Sequence, residues 1–469
     1  MFDDEEDEYF EGNFSENLER FEKSLLGEPL GFIDGDQLES IIDHYLINGQ
    51  YSKALICVDV AIEQFPFNSL FFLRKAQAIS AMGQLNDALN LLSLVEKMEI
   101  PSCEFFLTKA AIFSQLKDSN RAIKYFKDAL KISELEDKDE IYLDLAMEYE
   151  NALDYNSAIQ TLKEAIKFNP QNEGAIYELA YCYDHSNEIE KAIKCYSDFI
   201  DENPYSYTAW YNLGNAYSKL ENFEKAIWSY DYCLLIQEDF SPAFFNLGNA
   251  YLSSDKYQLA IENFESCMKL DGEDGLALCY IGECYEQLGN YALAKHYYNR
   301  SLEFIPDLPE AWLGLGIVND LEGKTIEGIN LILKAINLNP ENGGFYHVLA
   351  NAYEKLNQFD DAELAYLTSL KFDENNEDAL IDYTDFLIET NQLQKALDYI
   401  ENKDFCLELE FTMQILIVNL FWKMNLKEEA IDILTNLILE DYDEAKKILI
   451  MYPELENENK IVSLFFNKK

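Results

Sequence analysis

Residues 207–240 read YTAWYNLGNAYSKLENFEKAIWSYDYCLLIQEDF. Numbered from 1 at Tyr207, positions 4, 7, 8 and 11 are Trp210, Leu213, Gly214 and Tyr217. That is the i, i+3, i+4, i+7 stripe of an amphipathic helix. Positions 20, 24 and 27 are Ala226, Tyr230 and Cys233, the stripe of a second helix. Small residues at 8 and 20 let two helix backbones approach, and the aromatics fill the space beside them. The segment therefore encodes a pair of antiparallel helices.

The same register extends in both directions. A small residue stands at position 20 in Ala54, Ala88, Ala122, Ala158, Ala192, Ala226, Ala260, Ala294, Gly328, Ala362, Ala396 and Ala430. Successive members are 34 residues apart, except for 36 between Ala122 and Ala158. The two extra residues fall in ISELEDKDE, which is assigned to a loop between units. Position 15 carries Gly49, Gly83, Gly289, Gly323, Asn187, Asn357, Asn391 and Asn425. These residues tolerate the left-handed backbone that ends a helix. Pro at position 32, as in Pro66, Pro170, Pro204, Pro306 and Pro340, stops the second helix. A fixed period of this length marks a stacked repeat architecture.

The chain resembles the tetratricopeptide repeat (TPR) family. Residues 207–240 and SPAFFNLGNAYLSSDKYQLAIENFESCMKL (241–270) carry the resemblance most fully, and it extends over 35–440 as about twelve repeats. The units at 103–136, 309–342 and 411–444 depart most; the last has Val418 at position 8. The resemblance implies an all-α fold, a right-handed superhelical α-solenoid of helix hairpins with the first helices lining a concave groove.

Flanking the array, residues 1–34 form an acidic tail, expected to be partly disordered with a short helix over 17–26. Seven of its first eleven residues are acidic and none is basic, so the charges repel. Phe2, Tyr9, Phe10 and Phe14 give it an aromatic character suited to docking. Residues 441–469 are expected to supply a capping helix and a tail, with IVSLFF near the terminus.

In TPR proteins, positions 2, 5, 6, 9, 12 and 13 of the first helix face the groove. Transferred to this chain, they give a candidate partner-binding set: Tyr177, Tyr181, Tyr211, Asn212, Asn215, Lys219, Phe245, Asn246, Asn249, Tyr280, Glu283 and Asn351. Acidic residues flank it, among them Glu140, Asp144, Glu150, Glu178, Glu354, Asp382 and Asp385. Asn can both donate to and accept from an extended backbone. Among the groove residues read from the units between 139 and 389, only Lys219 and Lys355 are basic, which disfavours a clamp for C-terminal carboxylates.

Composition sets the partner class. With 36 Lys plus Arg against 87 Asp plus Glu, the net charge is −51. Direct nucleic-acid binding needs clustered cations, and none are present in the pattern. At 48 % hydrophobic residues the chain has the material for a core. No apolar stretch is long enough for membrane insertion, and the acidic start is unlike a secretory leader, so a cytoplasmic location is expected. The nine cysteines form no CxxC pair, and His44, His185, His296 and His347 fall in separate repeats. No metal site, cofactor or catalytic constellation is expected. DGD (34–36) and DGEDG (271–275) hint at calcium without the spacing of a binding loop. The expected function is a non-catalytic scaffold or adaptor that binds an extended basic or aromatic protein segment. The alternative is a chaperone or assembly factor shielding a basic client.

Overall fold

The computed structural model describes residues 3–27, 30–374, 376–402, 411–453, 455 and 458–466. Phe2, Cys406 and the side chains of Tyr9 and Phe10 lie outside the described residues. The chain divides into two compact units, 1–250 and 251–469. Both are all-α, with no strand among the described residues.

In the first unit, α1 (Asp3–Leu25) precedes α2 (Gly35–Ile47) and α3 (Tyr51–Gln64). Then follow α4 (Ser69–Ala81), α5 (Leu85–Met98), α6 (Cys103–Gln115), α7 (Ser119–Leu130), α8 (Lys138–Asn151) and α9 (Tyr155–Phe168). The unit continues with α10 (Glu173–Ser186), α11 (Ile189–Glu202), α12 (Tyr207–Lys219), α13 (Phe223–Ile236) and α14 (Ser241–Leu252). The helix expected over 17–26 is the C-terminal part of α1. Its Phe14, Leu18, Phe21 and Leu25 pack with the core of α2 and α3. The extra residues at ISELEDKDE fall between α7 and α8.

The second unit holds α15 (Tyr257–Asp271), α16 (Gly275–Gln287), α17 (Tyr291–Phe304), α18 (Pro309–Leu321), α19 (Thr325–Leu338), α20 (Gly343–Lys355) and α21 (Phe359–Phe372). It ends with α22 (Glu377–Glu389), α23 (Leu393–Asn402), α24 (Phe411–Lys423), α25 (Lys427–Glu440), α26 (Tyr442–Ala445), α27 (Ile448–Met451) and α28 (Asn459–Phe466). Val418, the departure at position 8, is fully buried in α24.

Within each unit, consecutive helices pack as hairpins and the first helices of neighbouring hairpins also touch. The close approach is visible at α18 and α19. A Cβ on Gly328 (position 20) would lie 2.7 Å from the carbonyl oxygen of Gly316 (position 8). The position-24 aromatics lie over the position-8 glycines. A Cβ on Gly214 would meet the Tyr230 ring at 2.5 Å, and one on Gly282 the Tyr298 ring at 2.8 Å. Polar tips of position-4 aromatics reach back to the preceding position-32 proline. Trp210 Nε1 donates to the Pro204 carbonyl at 2.9 Å, Trp312 Nε1 to Pro306 at 2.9 Å and the Tyr346 hydroxyl to Pro340 at 3.1 Å.

Position 15 takes the left-handed conformation in every repeat. The eight glycines and asparagines named above do so, as do Lys117, Leu153, Glu221 and Asp255, at φ of 56–59°. The position-16 N–H bonds the position-11 carbonyl in the same way throughout, as in Gln84 to Ile79 at 2.9 Å and Asn222 to Tyr217 at 3.0 Å. That is the bond closing a Schellman motif.

Asp34 and Asp274, one acid from each of the two calcium-like stretches, are helix caps. They accept from the N–H of Gln37 at 3.0 Å and of Ala277 at 2.8 Å. Among the described cysteines none forms a disulfide; Cys57, Cys182, Cys233, Cys267, Cys279 and Cys284 are buried in the cores.

Candidate protein-binding face

The first helices present a run of side chains that faces away from the paired second helices. A recurring tie holds this face together. The side chain at position 6 of one hairpin bonds positions 5 and 9 of the hairpin before it. Arg74 in α4 meets Glu39 and Asp43 in α2, at 3.3 and 2.6 Å, and also Glu104 in α6. Asn246 in α14 donates to the Tyr211 hydroxyl at 3.0 Å and to Asn215 Oδ1 at 2.8 Å, both in α12. Asp382 in α22 meets His347 at 2.7 Å and Asn351 at 3.1 Å, both in α20. Burial works against the Asp382 charge, but hydrogen bonds from His347 and Asn351 and the charge of His347 outweigh it and lower its pKa.

The position-24 tyrosines supply a second tie from beneath. Tyr230 donates to Asn215 Oδ1 at 2.8 Å, Tyr298 to Glu286 at 2.9 Å, and Tyr366 to Asn351 and Glu354. Burial raises the Glu286 carboxyl to about 7. Sequence reasoning placed these tyrosines in the core but missed their hydroxyl contacts with the outer face. Spacings of 12 and 15 residues between the partners, repeated in register, were the available signal.

The candidate residues now separate by role. Asn212 departs from the expectation of an open groove residue. It is 4 % exposed, and its Nδ2 donates to the Ile176 carbonyl at 3.1 Å, so it fastens α12 to α10. Tyr211, Asn215 and Asn246 come together, but their polar atoms already serve one another. Lys219 pairs with Asp184 at 2.5 Å. Phe245 and Asn249 are half-buried on α14; the Asn249 amide makes no side-chain hydrogen bond among the described residues. Tyr280 and Glu283 are half-buried on α16, in the second unit with Asn351. Burial raises the Glu283 carboxyl.

The open part of the first unit's face lies on α10. Tyr177 is 64 % exposed and Tyr181 45 % exposed. Tyr181 and Tyr155 pack around His185, with ring centroids 4.0 and 5.1 Å from it. Glu178 and Glu150 flank these rings. Burial raises both carboxyls, and Glu150 also accepts from Cys182 Sγ at 3.2 Å. Neither makes an ion pair among the described residues. Nearby, a cleft of about 350 Å³ is lined by Gln77, Thr108, Ala111, Phe126 and Asp144. Burial in its walls, then Glu140 and Glu148, raise the Asp144 carboxyl. In the second unit a cleft of about 410 Å³ is lined by Asn351, Glu354, Lys355, Tyr366, Asp382 and Asp385. Lys355 reaches Asp320 at 2.5 Å. No group of side chains able to hold a metal ion occurs among the described residues. No described helix is long and apolar enough to cross a membrane.

Tetratricopeptide repeat models match residues 104–134, 152–198, 195–227, 241–274, 275–308 and 331–363. No curated relative matches the sequence. Among solved structures, the chain is similar to a tetratricopeptide repeat protein from Parabacteroides merdae. Identity is 18 %, covering 52 % of this chain and 96 % of that one, with a TM-score of 0.45. It is also similar to the APC/C hetero-tetramer Cut9–Hcn1, at 16 % identity over 92 % of this chain and 89 % of that one, TM-score 0.41. YrrB, a TPR protein with an unusual peptide-binding site, is 21 % identical over 39 % of this chain and 95 % of that one, TM-score 0.30. These likenesses add no argument about function.

Proposed function

Because the chain belongs to the tetratricopeptide repeat family, we propose that it is a non-catalytic scaffold that binds a protein partner through an extended segment bearing Lys or Arg. The first-helix face of the first unit is the docking surface. The observation that carries this reading is α10, where the exposed Tyr177 and Tyr181 rings stand beside the unpaired carboxylates of Glu150 and Glu178. A cationic side chain laid there gains both a ring face and a counter-charge. Carboxylates held in partly buried surroundings are costly as anions, and an incoming cation offsets that cost. The net charge of −51 steers basic partners toward the chain and repels acidic ones.

The probe is a labelled flexible peptide with alternating Lys and Tyr, paired with a control in which Glu replaces Lys. The Lys peptide is expected to bind, to weaken as salt rises, and to lose about ten-fold in affinity on Glu178→Gln with Tyr181→Ala. Equal binding of both peptides, or no loss in the double variant, overturns the reading. Asn249→Ala is a cleaner probe of the neighbouring face than Asn246→Ala, because Asn246 also holds α12 and α14 together.

A further inference from the structure

The C-terminal segment does two different things. α26 and α28 pack on α25, burying Ala445, Ile461 and Phe465, and the Tyr442 hydroxyl donates to the Phe465 carbonyl at 3.1 Å. This covers the apolar flank of the last hairpin, as the end of a repeat array requires. Between them, the stretch from Ile448 to Pro453 reaches further. Tyr452 is 4 % exposed, and its hydroxyl donates to Asp385 Oδ1 at 3.0 Å, 67 residues earlier in the chain.

Asp385 is position 9 of its hairpin, and Asn419 is position 9 of the next. Tyr181, Asn215, Asn249 and Asn351 occupy the same position elsewhere. Tyr452 therefore lies on the first-helix face, which covering an apolar flank does not require. Asn419 is 1 % exposed beside Tyr452, and among the described residues its amide makes only a poorly aligned contact with the Tyr452 hydroxyl. A buried amide so weakly partnered penalises the closed arrangement, and it gains well-aligned partners when water or a peptide backbone reaches it. Asp385, the partner of Tyr452, also lines the 410 Å³ cleft beside Asn351 and Lys355.

We propose that the segment around Tyr452 is a displaceable intramolecular ligand of the second unit's first-helix face, and that a protein partner using this stretch must expel Tyr452 from Asp385. The proposal rests on the reading that first-helix faces receive partners. It assigns the C-terminal end of the second unit a preference for a peptide that sets an aromatic hydroxyl against Asp385 as Tyr452 does; the adjoining Ile450, Met451 and Pro453 are exposed and set no such requirement. Closure by the chain's own tail makes this face unavailable until a stronger or more concentrated ligand competes.

The test uses the full chain and a labelled synthetic peptide with the sequence of residues 446–458. Wild type is expected to bind it weakly, because its own tail occupies the site. Tyr452→Ala is expected to bind it about ten-fold more tightly. Asp385→Ala removes the anchor and loses that gain even when combined with Tyr452→Ala. Equal affinity in wild type and Tyr452→Ala overturns the proposal. Tyr452→Phe keeps the ring and deletes only the hydroxyl, which guards against misfolding. In this variant the amides of 448–452 are expected to exchange faster with solvent while those of α24 are unchanged; exchange as slow as in wild type also overturns the proposal. Both readouts concern the second unit and need no Lys-bearing probe. Their failure therefore leaves the first-unit reading standing, and failure of the Lys peptide leaves this one standing.

Discussion

Glu221→Gly is expected to stabilise the protein by about 1 kcal/mol, although it deletes a side chain. Glu221 occupies position 15 at φ 56°, where eight of the other eleven repeats carry glycine or asparagine. A left-handed backbone costs an L-residue about 1–2 kcal/mol, because Cβ crowds the following carbonyl oxygen. Glycine escapes that cost but returns about 0.5–1 kcal/mol through the larger entropy of its unfolded chain. An acidic side chain beside the C-terminus of α12 is also disfavoured by the helix dipole, by about 0.3–1 kcal/mol. Glu221 is exposed and makes no ion pair or side-chain hydrogen bond among the described residues, so little is lost. The reverse change supplies the control. Gly83 has φ 82°, and a Cβ there would find nothing within 4 Å. Gly83→Ala thus tests backbone strain with no steric clash, and about 1 kcal/mol of destabilisation is expected. Urea unfolding followed by circular dichroism gives the global shift. Hydrogen exchange at the α12–α13 turn gives the local one, which matters because repeat arrays can open piecewise. A lower urea midpoint for Glu221→Gly, or no change for Gly83→Ala, refutes the reasoning.

Three further outcomes follow from the packing. Gly328→Ala brings a methyl group against the Gly316 carbonyl oxygen, and a backbone atom cannot yield cheaply, so thermal unfolding should show a loss of about 1–3 kcal/mol. Tyr230→Phe strips the hydroxyl from Asn215 and is expected to cost about 1 kcal/mol in urea, with faster exchange in α12. Glu286 has a folded pKa of about 7 against an ordinary 4.5, raised by burial. The folded state then holds the proton more tightly than the unfolded state, so the stability Glu286 contributes is full below the unfolded value and falls as pH rises toward 7. The amount is on the order of 3 kcal/mol. Glu286→Gln keeps an acceptor for Tyr298 and should flatten this slope in urea titrations between acid and neutral pH; an unchanged slope would assign the proton elsewhere.

Much of the fold was legible because its determinants are local. Position 15 ends a helix within one turn, so Gly49 or Asn187 announces itself without its neighbours in space. Lys117, Leu153 and Glu221 were not legible, since their own preferences oppose the conformation they adopt. The register of the helices on either side imposes it, and the position-16 to position-11 hydrogen bond holds it. The candidate face was legible only as a set of positions. Tyr177 and Tyr181, at positions 5 and 9, are exposed, whereas Asn212, at position 6, is buried against the Ile176 carbonyl although Glu178 at the same position of α10 is only half-buried. The same repeat position gave Glu178 and Asn212 different exposures, because the neighbouring hairpin decides which side chains reach water.

The sequence alone therefore determined the helix pairs, their period and where each helix stops. Those features arise from contacts between residues a few positions apart, and a pattern of small and large side chains records them directly. The three-dimensional arrangement decided which polar groups of the first-helix face are spent on one another, and that Tyr452 lies against Asp385. Such contacts join residues one or two repeats apart. They depend on the offset between stacked hairpins, a geometric quantity that no short stretch of residues encodes.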